Sequence, residues 1–363
     1  MGQGHRPARR DRRPRNPERL RGRGRRRCAL RARRRRRRNH RHRHRRPALW
    51  RPRLRLQGSG RPLLVVRQLR PVGGTRRRMN LFPDTAADAN DWTTRQVEPV
   101  DGIRIGIGGW TYVPWRDNFY PKGLVQRREL EYASRHLSCI EINGTYYGAQ
   151  KPSTYAKWRD ETPEGFVFSA KAPMRIMQSK ALAKTGPQVE DFIGGISTLG
   201  DRLGPLLWQF DAGLKLERVS FQAFCELLPR EADGRALRHV LDVRDAGFID
   251  ADFIALARTH GFATVFTDSP EHPSFADVTA GFVYARLMRS RSDIATGYPA
   301  GELAAWAARA RLWAGGGEPG DLPKIVDDAA PATPREVFIQ FISAAKERNP
   351  AAAMALQAKL ARG

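Results

Sequence analysis

From residue 103 onward, short apolar runs rich in β-branched residues alternate with stretches whose apolar positions recur every three or four residues. That alternation predicts parallel strands joined by helical crossovers. Eight runs read as strands: 103–107 (IRIGI), 138–143 (SCIEIN), 166–171 (FVFSAK), 205–210 (PLLWQF), 239–244 (HVLDVR), 263–268 (ATVFTD), 282–288 (FVYARLM) and 337–342 (VFIQFI). Helix-period segments lie between most of them, from RRELEYASRHL after the first strand to NPAAAMALQAKLARG after the last. Several begin after Ser, Asp or Pro and stop at Gly, as helix capping demands. Eight such units predict an α/β fold, a single (β/α)8 barrel of the TIM type, with an open doubly wound sheet as the alternative.

Parallel strands covered by helices normally read as unbroken apolar runs, so charge inside them needs a reason. In CIEIN the period of two sends Ile140 and Ile142 to the helix side and Glu141 and Asn143 to the other. The same alternation turns Asp242 and Arg244 inward in HVLDVR, Tyr284 and Arg286 in FVYARL, and Ser169 and Lys171 in FSAK. Gln209, Asp268, Ser269, Gln340 and Ser343 complete the set. In a barrel these groups converge at the C-terminal mouth, where sites of this fold lie. Lys171, Arg244 and Arg286 suit a phosphate or carboxylate, and Glu141 and Asp242 are the candidate acid–base groups. The competing reading is an internal salt-bridge network that binds nothing.

Two loops are long, one following the first strand (TYVPWRDNFYPKG) and one preceding the last (GGGEPGDLPKIVDDAAPATPRE). The first carries Tyr112, Trp115, Phe119 and Tyr120, with Trp110 immediately before it, and follows a strand, so it is the better placed to touch a ligand. Phe119 and Tyr120 are expected to pack the loop down, and Trp110 and Tyr112 to border the polar ring. A second hypothesis makes the chain a non-enzymatic binder of single-stranded nucleic acid, with Trp110, Trp115 and Tyr120 as stacking rings.

The formal charge of +28 changes this picture less than it promises. Residues 1–78 hold 32 Arg, no Lys and only Asp11 and Glu18 as acids, whereas residues 79–363 hold 33 basic and 35 acidic side chains. The folded part is therefore nearly neutral, which weakens a nucleic-acid reading. Residues 1–78 are expected to be a disordered Arg-rich leader arising from a start assigned too early, with Met79 as the expected true start and 79–102 as an N-terminal segment before the barrel domain, 103–363. A real basic arm binding phosphate backbones is the alternative.

Other chemistry lacks its signatures. No run supplies the ~20 apolar residues of a membrane span, so no membrane partner is expected. Cys28, Cys139 and Cys225 are scattered and odd in number, pointing to a reducing cytoplasm rather than a disulfide framework. GIGGWT lacks the third glycine of the dinucleotide fingerprint, neither a Walker loop nor a G-x-S-x-G elbow is present, and no cofactor is expected. None of His136, His239, His260 and His272 stands at the C-terminal end of a strand, so a metal is expected only as a carboxylate-bound Mg²⁺, if at all. The expected partner is a small anionic molecule.

Four stretches, IGGWTYVPWRDNFYPKGL, EYASRHLSCIEINGTYYG, TPEGFVFSAKAP and LGDRLGPLLWQF, resemble successive signatures of the YecE-like family, domain of unknown function 72. The resemblance runs from about residue 103 to the C-terminus. It implies a TIM-type barrel and no established activity. The family barrel is similar to that of the xylose-isomerase and endonuclease-IV group, a fold analogy that suggests a nucleic-acid or phosphorylated ligand. The family pattern carries Trp110, Tyr112, Trp115, Phe119, Tyr120 and Pro121, then Glu141, Asn143, Thr145 and Tyr147, then Lys171, Gln209 and Arg286. Two departures stand out: the family's Glu-x-Arg-His near the fifth strand is Asp242, Val243, Arg244, Asp245 here, and its Phe-Asn-Asn after the last strand is Phe341, Ile342, Ser343.

Overall fold

The computed structural model describes residues 92–362. The Arg-rich leader, Met79 and the start of the segment 79–102 lie outside the described residues. Eight parallel strands form a closed barrel: β1 (Ile103–Gly108), β2 (Cys139–Ile142), β3 (Val167–Lys171), β4 (Leu203–Phe210), β5 (His239–Val243), β6 (Ala263–Thr267), β7 (Phe282–Leu287) and β8 (Glu336–Phe341). Closure is direct, since β1 pairs with β2 on one side and β8 on the other. This disposes of the open-sheet alternative. A short hairpin, Glu231–Ala232 against Arg235–Ala236, precedes β5.

The longer helices are α1 (Glu129–His136), α2 (Pro152–Asp160), α3 (Gly186–Ile196), α4 (Arg218–Leu227), α5 (Ala251–His260), α6 (Ala300–Ala314) and α7 (Asn349–Leu360), and a single helical turn, Met174–Met177, follows β3. Their ends follow capping chemistry. Glu217 accepts hydrogen bonds from Val219 and Ser220 N–H at the start of α4, Asp250 accepts from Phe253 N–H at the start of α5, and Gly261 closes α5 in the left-handed region. Between β6 and β7 runs a helix-free segment, and the long loop before β8 is fastened to it. Ile325 and Val326 N–H donate to the two carboxylate oxygens of Asp277, and Ala276 N–H donates to Pro323 O.

Strand alternation divides the core into two layers. Ile103, Ile105, Ile107, Ile140, Ile142, Phe168, Trp208, Leu241 and Ile339 pack outward against the helices. Each such burial contributes about 1.5–3 kcal/mol. Cys139, Val167, Leu207, Val240, Val265, Tyr284 and Phe338 fill the barrel itself. Gly106 is obligatory in this inner layer, because a Cβ there would meet Cys139 O at 2.2 Å and Gln340 Oε1 at 2.6 Å. The N-terminal end of the barrel is stoppered by Glu336, which pairs with Arg104 at 3.3 Å and also with Arg238. Charged groups of the barrel therefore gather at its two ends, this cluster at the N-terminal end and a larger set at the C-terminal end. No helix among the described residues is long and apolar enough to cross a membrane.

Candidate functional site

Above the apolar interior, one continuous polar chain crosses the mouth of the barrel. Ser169 Oγ on β3 lies 2.7 Å from the hydroxyl of Tyr284 on β7, and that hydroxyl donates to Glu141 Oε2 on β2 at 2.8 Å. Arg286, two residues beyond Tyr284 on the same face, donates from Nη2 to Glu141 Oε1 at 2.9 Å and from Nη1 to Asp242 Oδ2 at 2.8 Å. From β5 the chain continues outward. Arg244 donates to the same Asp242 oxygen at 3.2 Å and to Gln209 Oε1 at 3.0 Å, and Gln209 Nε2 donates to Asp211 Oδ1 at 2.6 Å. Tyr146, in the loop after β2, closes the sequence by donating to Asp211 Oδ2 at 3.3 Å.

Depth sorts these groups by what they can do. Arg286 is 3% exposed and its two carboxylates are 0% and 9% exposed, so this trio is a buried, compensated unit. Burial alone would depress the guanidinium pKa, but Glu141 and Asp242 outweigh it and hold Arg286 above its ordinary value. Burial, reinforced by Glu141, likewise keeps the Tyr284 hydroxyl protonated well past its usual range. Both Glu141 oxygens are occupied, so Glu141 fixes Arg286 instead of facing the mouth. Asp242 is the more open carboxylate, since its Oδ1 receives only a 3.5 Å contact from Arg244 Nε. Arg244 is half-buried, and its Nη1 edge stands 4.0 Å from Asp211.

Lys171 differs from both arginines. Among the described residues its amine makes no ion pair and no hydrogen bond; it rests over the Tyr146 ring, 3.9 Å from the centroid. Burial, then the charges of Arg286 and Arg244, push its pKa below the ordinary lysine value, with Glu141 and Asp211 pulling the other way. Local folding fixes the approach of this ring. Thr145 Oγ1 donates to Ile142 O and to Lys171 O at 2.7 Å, tying the loop after β2 to the end of β3.

Of the residues expected at the site, Glu141, Lys171, Gln209, Asp242, Arg244 and Arg286 come together. The others stand apart. Asp268 falls on the outward parity of β6: it accepts from Met288 N–H and from the Tyr298 hydroxyl at 2.9 Å, and burial raises its pKa. Asn143 is half-buried and donates to Glu141 O at 3.4 Å, beneath the turn that Gly109 makes at φ +77°. Tyr147 is 83% exposed, edge-on to Tyr146. Trp110 turns toward the helix layer, 4.9 Å from the Trp158 ring and 6.0 Å from Phe168. Tyr112 packs on Trp115 and under the Lys346 amine, 4.5 Å away. No hydrogen bond or ring contact joins Trp110 or Tyr112 to the charged ring, contrary to the expectation that they border it.

Trp115, Phe119 and Tyr120 are buried, with Trp115 Nε1 donating to Lys346 O at 2.8 Å and the Tyr120 hydroxyl donating to Trp110 O. The first loop is thus packed down, as expected of Phe119 and Tyr120. Sequence reasoning missed Tyr146 and Asp211, which sit in loops where no period announces a facing, and His272. His272, half-buried in the β6–β7 segment, is held below the usual imidazole range by burial and by Arg244, and it also feels Asp242. Among the described residues no three His, Cys, Asp or Glu side chains gather closely enough to hold a metal ion. Burial lifts the Cys139 thiol to about 12, which leaves it a packing group.

Comparison with known proteins shows what the chain is similar to. A family model described as "Protein of unknown function DUF72" matches residues 104–363. The UPF0759 protein YecE of Escherichia coli (strain K12) is 31% identical over 139 residues, 38% of this chain and 48% of its own length. The UPF0759 protein YunF of Bacillus subtilis (strain 168) is 34% identical over 70 residues, 19% of this chain and 24% of its own. The chain thus spans less than half the length of the curated relatives it matches. Among solved structures, a DUF72 family protein of Thermotoga maritima superposes with a TM-score of 0.55 at 18% identity, over 72% of this chain and 99% of that one. A likeness at that identity speaks for the fold.

Proposed function

The chain belongs to the DUF72 family, and from the charge arrangement at its barrel mouth we propose that it binds a small anionic metabolite there, between Lys171 and the outer edge of Arg244. One observation carries this reading: each cation of the polar ring is ion-paired with a carboxylate except Lys171. A purely structural network would be expected to end in pairs, and the half-buried Lys171 amine instead stands at the edge of the ring with no carboxylate of its own. An anion of carboxylate or phosphate type supplies the missing partner, and Arg244 Nη1 offers a second donor beside it. Asp242 is the carboxylate best placed for acid–base work on such a ligand, because it is the more solvent-facing of the two. Buried, unpaired Cys139 and Cys225 fit a cytoplasmic setting.

Calorimetric titration of the full chain with glycolate and with inorganic phosphate tests the reading. The basic leader is common to wild type and variant, so its contribution cancels in the comparison. A hydrogen bond to a charged group contributes about 1.5–3 kcal/mol, so Lys171→Ala should weaken binding about ten- to a hundred-fold. Equal affinities for both proteins would refute it. The nucleic-acid reading has lost two of its three stacking rings to the core, as Trp115 is 0% and Tyr120 1% exposed; oligonucleotide binding that survives Lys171→Ala would favour it instead.

A further inference from the structure

Resting on the anion reading above, we propose that Lys171 is a nucleophile toward carbonyl compounds: its amine condenses with the carbonyl carbon of a small 2-oxo carboxylate whose carboxylate lies against Arg244. The neighbouring geometry separates the two tasks. Arg244 has Nε and Nη2 committed to Asp242 and Gln209, which fixes the guanidinium plane, while its Nη1 edge has only a loose 4.0 Å ion pair with Asp211 and no hydrogen bond, so it can take a carboxylate. In a 2-oxo acid the carbonyl carbon is one bond from that carboxylate, so an anion held by Arg244 brings its electrophilic carbon toward the unpaired amine of the mouth. That amine belongs to Lys171, at the C-terminal end of β3, with no acid to pair it and Arg244 close enough for its charge to be felt.

An amine attacks only when unprotonated, and lysines used this way are desolvated or set beside other cations. Both conditions hold here. Lys171 is half-buried, Arg286 and Arg244 face it from β7 and β5, and the opposing charges are Glu141 and Asp211. The Tyr146 ring beneath the amine restricts its direction without supplying a full counter-charge. The lone pair on Nζ forms the C–N bond while the C=O pair moves to oxygen, which takes up a proton shed by the nitrogen. The resulting carbinolamine hydroxyl receives a second proton from water in the open mouth and leaves as water. The nitrogen pair then closes the C=N bond, and loss of the iminium proton returns what was borrowed. No oxidant or reductant enters.

The test is reductive trapping. Full-length protein is incubated with pyruvate and cyanoborohydride, and peptide mass spectrometry follows alkylation at Lys171 against the exposed Lys122 and Lys180 of the same molecule. The expected result is labelling of Lys171 several-fold faster than the two surface lysines, slowed by glycolate, which occupies the anion seat but has no carbonyl. Labelling of Lys171 at or below the surface rate overturns the proposal. Calorimetry with glycolate on the same sample then separates the two failures: if glycolate binds, only the covalent step falls, and if it does not, the anion site falls with it.

Discussion

Arg286 and Lys171 sit on the same polar ring and should answer to mutation in opposite ways. Arg286 is held between two buried carboxylates, so Arg286→Ala leaves the fully buried Glu141 without a cation and Asp242 with Arg244 alone. Breaking a buried pair in this manner costs about 3–5 kcal/mol. Lys171 has no pair to break, and its replacement by Ala should change stability by no more than about 0.5 kcal/mol. Urea unfolding of the two variants checks both figures, and a Lys171→Ala protein as unstable as Arg286→Ala would mean that the lysine is structural after all. The inward set was legible in the sequence because a strand has a period of two: once Ile140 and Ile142 are assigned outward, Glu141 must face in. Asp268 shows the limit of that rule. It follows Thr267 at the end of β6, where one residue of shift reverses the face, and its partners, Met288 N–H and Tyr298, come from an element 20 or more residues away.

At the level of elements, the eight strands and seven helices could be read from periodicity, and the structure places each of them within a few residues of the expected bounds. What periodicity could not supply was the behaviour of the loops. The aromatic loop after β1 carries five rings, and composition alone does not say which of them face a ligand. The structure spends Trp115, Phe119 and Tyr120 on packing against Tyr132 and the β8 loop, leaving the mouth to a less conspicuous segment around Tyr146. The loop before β8 was expected to matter less for a ligand, and it is tied down on Asp277 where a crossover helix would otherwise sit. After β8 the chain departs from the family pattern, and Ser343 and Ala344 both adopt positive φ, at +59° and +47°. Asn takes up that conformation with less strain than Ser, so the second amide of the resembled pattern fits the position that Ser343 holds here, while the first falls at Ile342, which is not among the positive-φ residues.

For the molecule as a whole, two buried histidines set an acid limit. His136 donates from Nδ1 to Tyr132 O at 2.8 Å, and His239 accepts from Trp208 Nε1 at Nδ1 while donating from Nε2 to Pro229 O, so each is held as one neutral tautomer. Burial depresses both from 6.5 to about 4. The unfolded chain therefore binds more protons than the folded one between those values, and stability that is fully present above pH 6.5 falls as pH drops toward 4. At pH 5 the loss should reach about 2 kcal/mol per histidine. His239→Gln should remove about half of this acid slope in urea unfolding; an unchanged slope would contradict the assignment.

Each cation of the ring is ion-paired except Lys171, and on the proposed reading an anion completes the set. A crystal structure of the protein grown with selenate, whose selenium scatters anomalously, tests this most directly. An anomalous peak is expected within hydrogen-bonding distance of Lys171 Nζ and the Arg244 Nη1 edge, absent in Lys171→Ala. A mouth with no anion while selenate occupies other sites, or a Lys171 amine paired with one of the ring carboxylates, would contradict it.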